Sequence, residues 1–302
     1  MVVATTGFFD GVHLGHRKVI EQLTAVARNC GAPSAVVTFW PHPRNVLQQD
    51  AARLRLLTSL AEKKDMLYSL GVDQIHVLPF TREMSGMSAE EFVRKYLKEE
   101  LGVDYLVVGY DHRLGCRSKD EPQCDILEIA ARLGIKAERV KAVSDDYTTL
   151  SSTYIRNLLL NGQVEKAAGL LGYFYQMHGV VVSGRGVGRQ IGFPTANIQL
   201  YEPLKLIPEN GVYAVNVEIE GAHYRGICNI GYRPTFNDSA ALTIETHILD
   251  FDRLIYGLDI RQEFVARIRN EQRFASVDEL KAQLAKDKRT AAAIFEQKFA
   301  CS

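Results

Sequence analysis

Residues 1–20 read MVVATTGFFDGVHLGHRKVI and contain the transition that decides how the first half of the chain folds. The run Val2–Phe8 is short and apolar, as in a buried strand. Apolar side chains then recur at helical spacing, at Val19, Ile20, Leu23, Val26 and Ala27. Gly31 stands where a helix commonly ends in a left-handed glycine. The sequence therefore predicts a strand, a turn and a helix in direct succession.

Strand-like and helical segments continue to alternate as far as residue 150. The further strand-like segments are SAVVTFW, DQIHVLPF, DYLVVG and IKAERVKAV. The further helical segments are Leu56–Leu70, EEFVRKYLKEELG behind a capping box at residues 88–91, and DILEIAARLG. Strands that alternate with helices predict an α/β domain with a doubly wound parallel sheet, whose ligands bind outside the carboxyl ends of the strands.

The pattern changes in the second half of the chain. Residues 152–171 hold two short helical patterns broken at Asn161-Gly162, which is typical of a connector. After Gly179 the pattern is mainly β, and Glu220-Gly221 predicts a hairpin turn. The strand-like segments are VYAVNVEIEGAHYRGICNIG, ALTIETHILDF and DIRQEFVARIR. A capping box at Ser276 and Glu279 then opens a last helix, so we expect a small antiparallel β-barrel with a terminal helix.

Composition narrows the class of protein and the kinds of partner. The 302 residues include 36 Lys+Arg and 36 Asp+Glu, so no broad basic field favours nucleic acid or an anionic membrane as a partner. No apolar stretch approaches the roughly 18 residues of a membrane span. The cysteines are scattered and form no Cys-x-x-Cys pair: Cys30, Cys116, Cys124, Cys228 and Cys301. We expect free thiols and a cytoplasmic protein.

His13-Leu14-Gly15-His16 is the first candidate site. Two histidines three residues apart face the same way at a helix start, beside unpaired N–H groups and the positive end of the helix dipole. Gly15 lets an anion approach the backbone closely. The alternative is a pair of surface histidines at a helix cap. The position of the motif at a strand-to-helix turn, after Asp10 of FFDG, favours phosphate binding.

A second polar element, Leu150-Ser151-Ser152-Thr153-Tyr154-Ile155-Arg156, places three hydroxyls and an arginine at the start of a helix. Taken alone, Ser or Thr at this place is better explained as an ordinary N-cap. Together with the histidine motif, the element predicts a second clamp on a triphosphate.

The stretch SGRGVGRQIGFPTANI is the third candidate site. Gly184, Gly186 and Gly188 form a loop with little side-chain bulk, whose spacing fits neither a Walker nor a Rossmann motif. The hydroxyl of Thr195 and the amide of Asn197 offer neutral oxygen ligands to Mg²⁺ beside nucleotide phosphates. The alternative for the Pro194–Asn197 segment is a generic turn.

The motifs GFFDGVHLGH, TFWPHPR, LPF, MSAEEFV, VVGYDHRLG and SSTYIR, followed by GFPTAN, resemble the bacterial bifunctional riboflavin kinase/FAD synthetase family over nearly the whole chain. The resemblance implies a Rossmann-like nucleotidylyltransferase domain at 1–157, a helical connector at 158–177 and a riboflavin kinase barrel at 178–302. It implies two Mg²⁺-dependent reactions, from riboflavin and ATP to FMN and ADP, and from FMN and ATP to FAD and pyrophosphate. ATP, riboflavin and FMN are then the partners of a monomer or weak homo-oligomer.

The resemblance assigns roles in the first domain residue by residue. His13 and His16 bind ATP phosphates and stabilise charge on the α-phosphorus, because transfer at phosphorus needs donors and positive charge rather than a covalent nucleophile. Further nucleotide contacts are implied at Gly7, Phe8, Asp10, Gly15, Gly109, Ser151, Ser152, Thr153 and Arg156. Asp111 is implied as a flavin contact, although its neighbours Tyr110, His112 and Leu114 depart from the family pattern.

In the second domain the resemblance implies that Thr195 and Asn197 bind Mg²⁺ and ATP phosphates, and that Glu245 is the general base of the kinase. Spacing alone would make Glu245 an outward-facing strand carboxylate. The remaining implied contacts are Gly184, Gly186 and Gly188 for the nucleotide, and Asn229, Arg269 and Glu271 for the flavin. Arginine–glutamate pairs such as Arg269 and Glu271 are usually surface ion pairs.

Two rival functions remain open from the sequence. An adenylyltransferase for another phosphate, such as phosphopantetheine or a nicotinate nucleotide, would explain the histidine motif but leave the Pro-Thr-Ala-Asn segment without a role. A flavin-binding regulator that has lost catalysis is the second. The presence of His13, His16, Thr195, Asn197 and Glu245 argues against it.

Overall fold

A computed structural model describes residues 1–47, 54–110, 125–141, 150–184, 186–234 and 240–299. The chain divides into two compact units, Met1–Ser152 and Thr153–Ser302. Across the described ranges, no helix has both the length and the apolar character needed to cross a membrane. The predicted domain limits at 157 and 178 stay a prediction.

The first unit is built on a five-stranded parallel sheet in the order β3-β2-β1-β4-β5. Its strands are β1 (Val2–Thr6), β2 (Ser34–Trp40), β3 (Gln74–Pro79), β4 (Val103–Val108) and β5 (Lys136–Arg139). Its helices are α1 (Leu14–Cys30), α2 (Pro43–Leu47), α3 (Leu60–Ser69), α4 (Arg82–Ser85), α5 (Ala89–Phe92), a π-helical segment (Val93–Glu100) and α6 (Ile126–Arg132). The predicted doubly wound sheet is confirmed.

Both faces of the sheet are covered, as its apolar strands predicted. Val3 of β1 packs in one core with Ile20 and Leu23 of α1, whereas Ala4 packs in a second core with Phe92 and Leu97. Since successive strand residues point to opposite faces, β1 lies at the centre of two cores. The packing of β1 on both faces holds the end of this strand, from which the turn toward α1 begins.

The ends of the helices follow from local chemistry. Gly31 ends α1 with φ 60°, a left-handed conformation that favours glycine. The helix predicted over Leu56–Leu70 was too long, because Ser59 and Glu62 form a capping box that starts α3 at Leu60. The apolar residues before it are buried in a loop rather than on a helix face.

The second unit is a closed barrel, which confirms the predicted barrel, and its strand order is β10-β7-β6-β11-β8-β9. Its strands are β6 (Gln176–Val182), β7 (Ala196–Leu200), β8 (Gly211–Ile219), β9 (Ala222–Pro234), β10 (Ala240–Ile248) and β11 (Asp259–Arg269). The helices in the rest of the chain are α7 (Ser152–Leu160) and α8 (Val164–Leu171) before the barrel strands, α9 (Val187–Gln190) between β6 and β7, and α10 (Val277–Phe299) after β11.

The predicted hairpin and terminal helix are both present. Glu220 and Gly221 have φ of 51° and 76°, the two left-handed residues of a type I′ turn, and they join β8 to β9. Ala214 of β8 packs in a core with Ala291 and Phe295 of α10. The terminal helix therefore covers one outer face of the barrel and explains why β8 is buried on both sides.

Candidate active sites

A cavity of about 660 Å³ opens at the carboxyl ends of the strands of the first unit. One part of its wall is polar and consists of Gly7, His13, Gly15, His16, Ser151 and Ser152. Another part is apolar and includes Phe39, Leu47, Phe80, Met84 and Phe92. The location agrees with the rule that open α/β sheets bind ligands beyond their strand ends. The volume lies within the range of small-molecule sites.

The turn between β1 and α1, residues 7–16, is called the histidine turn below. Its backbone is strained, because Phe9 and the β-branched Val12 have φ of 52° and 35°. The carboxylate of Asp10 accepts hydrogen bonds from the N–H groups of Leu57 and Thr58, at 3.0 and 3.1 Å, and from the Thr58 hydroxyl at 3.2 Å. These bonds hold the strained conformation in place. The structure thus gives Asp10 a buried supporting role, and its predicted nucleotide contact stays a prediction.

His13 and His16 are brought together at the first turn of α1. His13 is the N-cap residue, and its Nδ1 accepts a hydrogen bond from the N–H of His16 at 3.3 Å. The two rings stack with centroids 3.6 Å apart and an angle of 15° between their planes. A Cβ at Gly15 would lie 3.2 Å from Cε1 of His13, so the glycine leaves room for this ring.

The electrostatics of His16 differ from the expectation of positive charge. Burial, then the neighbouring His13 and then Lys63 hold the pKa of His16 well below its usual value. In the free protein at neutral pH, His16 is therefore a neutral imidazole that can donate a hydrogen bond. Among the described residues, its Nδ1 and the hydroxyls of Thr5 and Thr6 are buried without a hydrogen-bond partner, and all three residues line the cavity.

Ser151 and Ser152, from the polar element at residues 150–156, both line the cavity. The hydroxyl of Ser152, the last residue of the first unit, donates to the carbonyl of Asp10 in the histidine turn at 2.9 Å. Thr153 and Arg156 lie on α7 and belong to the second unit. Gly109 and Tyr110 line the cavity, and Phe8 does so too. Asp111, His112 and Leu114 lie outside the described residues.

Sequence reasoning missed Lys63 of α3. Its side chain is 2% exposed, and its ammonium donates to the carbonyl of Phe8 at 2.9 Å and to the hydroxyl of Thr38 at 3.1 Å. In the sequence it stands between Glu62 and Lys64 in a run of charges, which reads as a solvated helix face. The capping box of Ser59 and Glu62 indicates where α3 starts, but not that Lys63 faces the core.

The second site lies on neighbouring strands of the barrel. Glu245 of β10 pairs directly with Asn197 of β7 on one side and with Asn229 of β9 on the other. Directly paired residues project from the same face of a sheet, so the three side chains form one group, called the Glu245 row below. The hydroxyl of Thr195 donates to Oε2 of Glu245 at 3.4 Å. Four residues predicted from three separate parts of the sequence therefore meet.

The glycine-rich loop leaves space for the Glu245 row. A Cβ at Gly184 would lie 2.1 Å from Nδ2 of Asn197, and one at Gly188 would lie 2.3 Å from the carbonyl oxygen of Phe193. Gly186 has φ 70°, which only glycine adopts readily. The backbone at Gly184 therefore passes closely over Asn197, and the backbone at Gly188 passes closely over Phe193 and Thr195.

Arg269 and Glu271 have separate surroundings. The guanidinium of Arg269 pairs with the buried carboxylate of Asp287 on α10 at 2.8 Å and donates to the carbonyl of Asn270. The carboxylate of Glu271 lies against Gly231, where a Cβ would be 2.0 Å from Oε1. Gly231 is two residues from Asn229, so Glu271 lies near the Glu245 row. The geometry of Arg269 assigns it to anchoring α10, and its flavin contact stays a prediction.

Comparison with known proteins separates the two halves in the same way. The family model for FAD synthetase matches residues 1–154, and the model for riboflavin kinase matches residues 171–295. A bifunctional riboflavin kinase/FMN adenylyltransferase of Listeria monocytogenes is 41% identical over 97% of this chain and 92% of its own length. The chain belongs to this bifunctional family. The resemblance found in the sequence is confirmed.

Other relatives give the same result. The family members of Bacillus subtilis and Escherichia coli are 38% and 37% identical, each over 97% of this chain and 92% of their own length. A crystal structure of a Streptococcus pneumoniae protein described as a macrolide-efflux protein matches with a TM-score of 0.86 and 32% identity. It covers 96% of this chain and 93% of that protein. The fold of this chain is thus shared with a solved structure.

Proposed function

We propose that this chain catalyses two successive ATP-dependent reactions on flavins. Riboflavin is phosphorylated to FMN at the Glu245 row, with release of ADP. FMN is adenylylated to FAD at the histidine turn, with release of pyrophosphate. The observation that carries the proposal is that each unit holds its own polar site and each half matches a different enzyme family.

For the kinase step, we assign Glu245 as the general base. It takes the proton of the ribityl 5′-hydroxyl as that oxygen attacks the γ-phosphorus of ATP, and the bond to ADP breaks. The position of Glu245 between Asn197 and Asn229 supports this role, because amides on both sides orient a carboxylate and a bound substrate. Asn229 and Glu271 then lie where the flavin would be held.

The chemistry of the donors at this site suits Mg²⁺. The hydroxyl of Thr195 and the amide oxygen of Asn197 are hard oxygen ligands of the kind that this ion prefers. The close approach of Gly184 to Asn197 keeps side-chain carbon out of the same space. When bound, the ion neutralises charge on the ATP phosphates. We assign Thr195 and Asn197 as the residues that hold it.

For the adenylyl step, a phosphate oxygen of FMN attacks the α-phosphorus of ATP and pyrophosphate leaves. The neutral imidazole of His16, the imidazole of His13 and the N-terminal N–H groups of α1 stabilise the charge that develops. Binding of the anionic triphosphate raises the pKa of His16 from its low value in the free protein. Ser151 adds a polar group of the cavity wall, and the β- and γ-phosphate contacts of Thr153 and Arg156 stay predictions.

The apolar part of the cavity fits the flavin ring of FMN. Phe39, Phe80 and Phe92 offer aromatic surface within the same space as the polar wall. A planar ring against this surface would place its ribityl phosphate toward His16. The arrangement favours an aromatic phosphate substrate over a flexible aliphatic one such as phosphopantetheine.

The test is a pair of half-reactions on the purified chain with Mg²⁺ and ATP. Riboflavin should give FMN and then FAD by chromatography. We expect His16→Ala to block FAD formation and leave FMN formation intact, and Glu245→Ala to block FMN formation while added FMN is still converted to FAD. A folded variant that loses both activities would contradict separate sites. Flavin binding without ATP turnover would favour the regulator.

A further inference from the structure

Lys63 is a buried cation that the reactions above do not use. It lies 2% exposed on α3, beneath the histidine turn. Its ammonium donates to the carbonyl of Phe8 at 2.9 Å and to the hydroxyl of Thr38 at 3.1 Å, and lies 4.2 Å from the centre of the Phe8 ring. Removing an ammonium from water is costly, and an apolar side chain of similar length would avoid that cost. The buried charge of Lys63 therefore costs free energy that a purely structural side chain would not.

The contacts of Lys63 lead directly into the site. Phe8 lines the cavity and precedes Phe9, the first strained residue of the histidine turn. The Phe8 carbonyl accepts hydrogen bonds from Lys63 and, at 3.4 Å, from the Thr38 hydroxyl. Asp10, which directly follows Phe9, is held by hydrogen bonds from the N–H groups of Leu57 and Thr58. Lys63 and the loop before α3 thus hold Phe8 and Asp10, which lie on either side of the strained Phe9.

We infer that Lys63 is a positioning residue for adenylyl transfer: its ammonium holds the Phe8 carbonyl, and with it the turn that carries His13 and His16. It also places a positive charge behind the wall that faces the triphosphate. This inference rests on the proposed function of the cavity. The charge is fixed before substrate binds, which is the condition under which electrostatic stabilisation of a transition state is most effective.

Several ionisable groups surround Lys63. Asp10 of the turn and His16 of α1 interact with it electrostatically, and His13 stacks on His16. His42 packs against the Phe8 ring with centroids 4.0 Å apart, and the carboxylate of Glu62 accepts from the N–H of Ser59. Burial lowers the pKa of Lys63 to about 8, and Asp10 opposes this shift. Lys63 is therefore charged at pH 7 and loses its charge as the pH rises through about 8.

The effect of Lys63 on stability changes with pH in the opposite direction to its expected effect on FAD formation. The pKa of Lys63 is lower in the folded than in the unfolded chain, so above about pH 8 the unfolded chain binds more protons at this group. The contribution of Lys63 to stability thus increases as the pH rises from about 8 toward its ordinary pKa. A fall in FAD formation over the same range would come from loss of the charge and not from unfolding caused by this group.

The experiment measures FMN adenylylation and riboflavin phosphorylation in the same preparations of wild type, Lys63→Met and the control Lys64→Met. Lys64 is the half-buried neighbour of Lys63 on α3. We expect Lys63→Met to lower kcat for FAD formation roughly 100-fold, as for other preorganised donors, with KM for ATP changed less than about threefold. Riboflavin phosphorylation and the Lys64→Met variant should be unaffected.

The pH profile supplies a readout that packing alone would not change. In wild type, kcat for FAD formation should fall about tenfold per pH unit above ~8, whereas residual activity of Lys63→Met should stay flat there. If Lys63→Met does not fold, Lys63→Arg replaces it. The fall in its kcat should then begin at a higher pH than in wild type, because a guanidinium stays charged.

Three outcomes would overturn the inference. Lys63→Met could retain the wild-type kcat, the wild-type rate could stay flat from about pH 7 to 9.5, or the alkaline fall could persist unchanged in the variant. FAD formation by the wild type distinguishes these outcomes from failure of the proposed function. If the wild type makes no FAD at any pH, the proposed function and the role of Lys63 are both contradicted.

Discussion

The two sites reach their geometry by different means. The histidine turn is irregular backbone with two strained residues, held by contacts from Leu57, Thr58 and Lys63. The Glu245 row lies on three paired strands, where register alone places the side chains next to one another. A site built on strand register depends mainly on free space around its side chains. A site built on a strained turn depends on distant polar groups that hold the backbone.

The largest effect expected from this difference is at Gly184. We expect Gly184→Ala to lower riboflavin phosphorylation about 100-fold, because an added Cβ would lie 2.1 Å from Nδ2 of Asn197 and push that amide away. Stability should change little, since the amide can move aside. The control is Gly169→Ala, where a Cβ meets nothing within 4 Å. An unchanged rate would show that Asn197 is not needed where the structure places it.

A smaller effect is expected at Asp10. We expect Asp10→Asn to lower FAD formation about tenfold and to cost about 1–3 kcal/mol of unfolding free energy. The amide nitrogen that replaces Oδ2 cannot accept the Leu57 N–H, and a neutral amide oxygen accepts the two Thr58 donors less strongly than a carboxylate does. FMN formation should be unchanged. Kinetics and chemical denaturation provide the measurements, with the exposed Asp65→Asn as control. Loss of activity with unchanged stability would instead favour a direct nucleotide contact of Asp10.

The smallest effect concerns the protonation of His16. Because burial and His13 lower its pKa, an NMR titration should place its midpoint below the ordinary value, and ATP should move the midpoint upward. As the pH falls below the ordinary value, the unfolded chain binds the proton first, so the folded state loses stability. His16→Gln should therefore lose less stability than wild type on acidification. A midpoint at or above the ordinary value would contradict the neutral imidazole.

Much of this architecture could be predicted from the sequence, because the signals are local. Periodicity indicated the parallel sheet and the barrel, and the spacing of His13 and His16 indicated an anion site at a helix start. The resemblance to a known family implied the roles of Thr195, Asn197 and Glu245. Strand pairing then accounts for their proximity, since β7 and β10 are neighbours in the barrel.

The remaining features depend on contacts between distant parts of the chain. Asp10 accepts hydrogen bonds from Leu57 and Thr58, which follow it by 47 and 48 positions in the chain. Lys63 donates a hydrogen bond to Phe8, which precedes it by 55 positions. The pairing of Arg269 with Asp287 depends on how α10 packs on the barrel. The neutrality of His16 is a consequence of burial, which periodicity does not measure. Local patterns locate such groups without showing what they face.

Mixing two inactive variants tests the separation of the sites most directly. Neither His16→Ala nor Glu245→Ala should convert riboflavin to FAD alone, since each lacks one step. Combined with riboflavin, ATP and Mg²⁺, the two preparations should form FAD, because FMN released by the first variant is the substrate of the second. Failure of the folded mixture to form FAD, even when FMN accumulates, would contradict two independent sites.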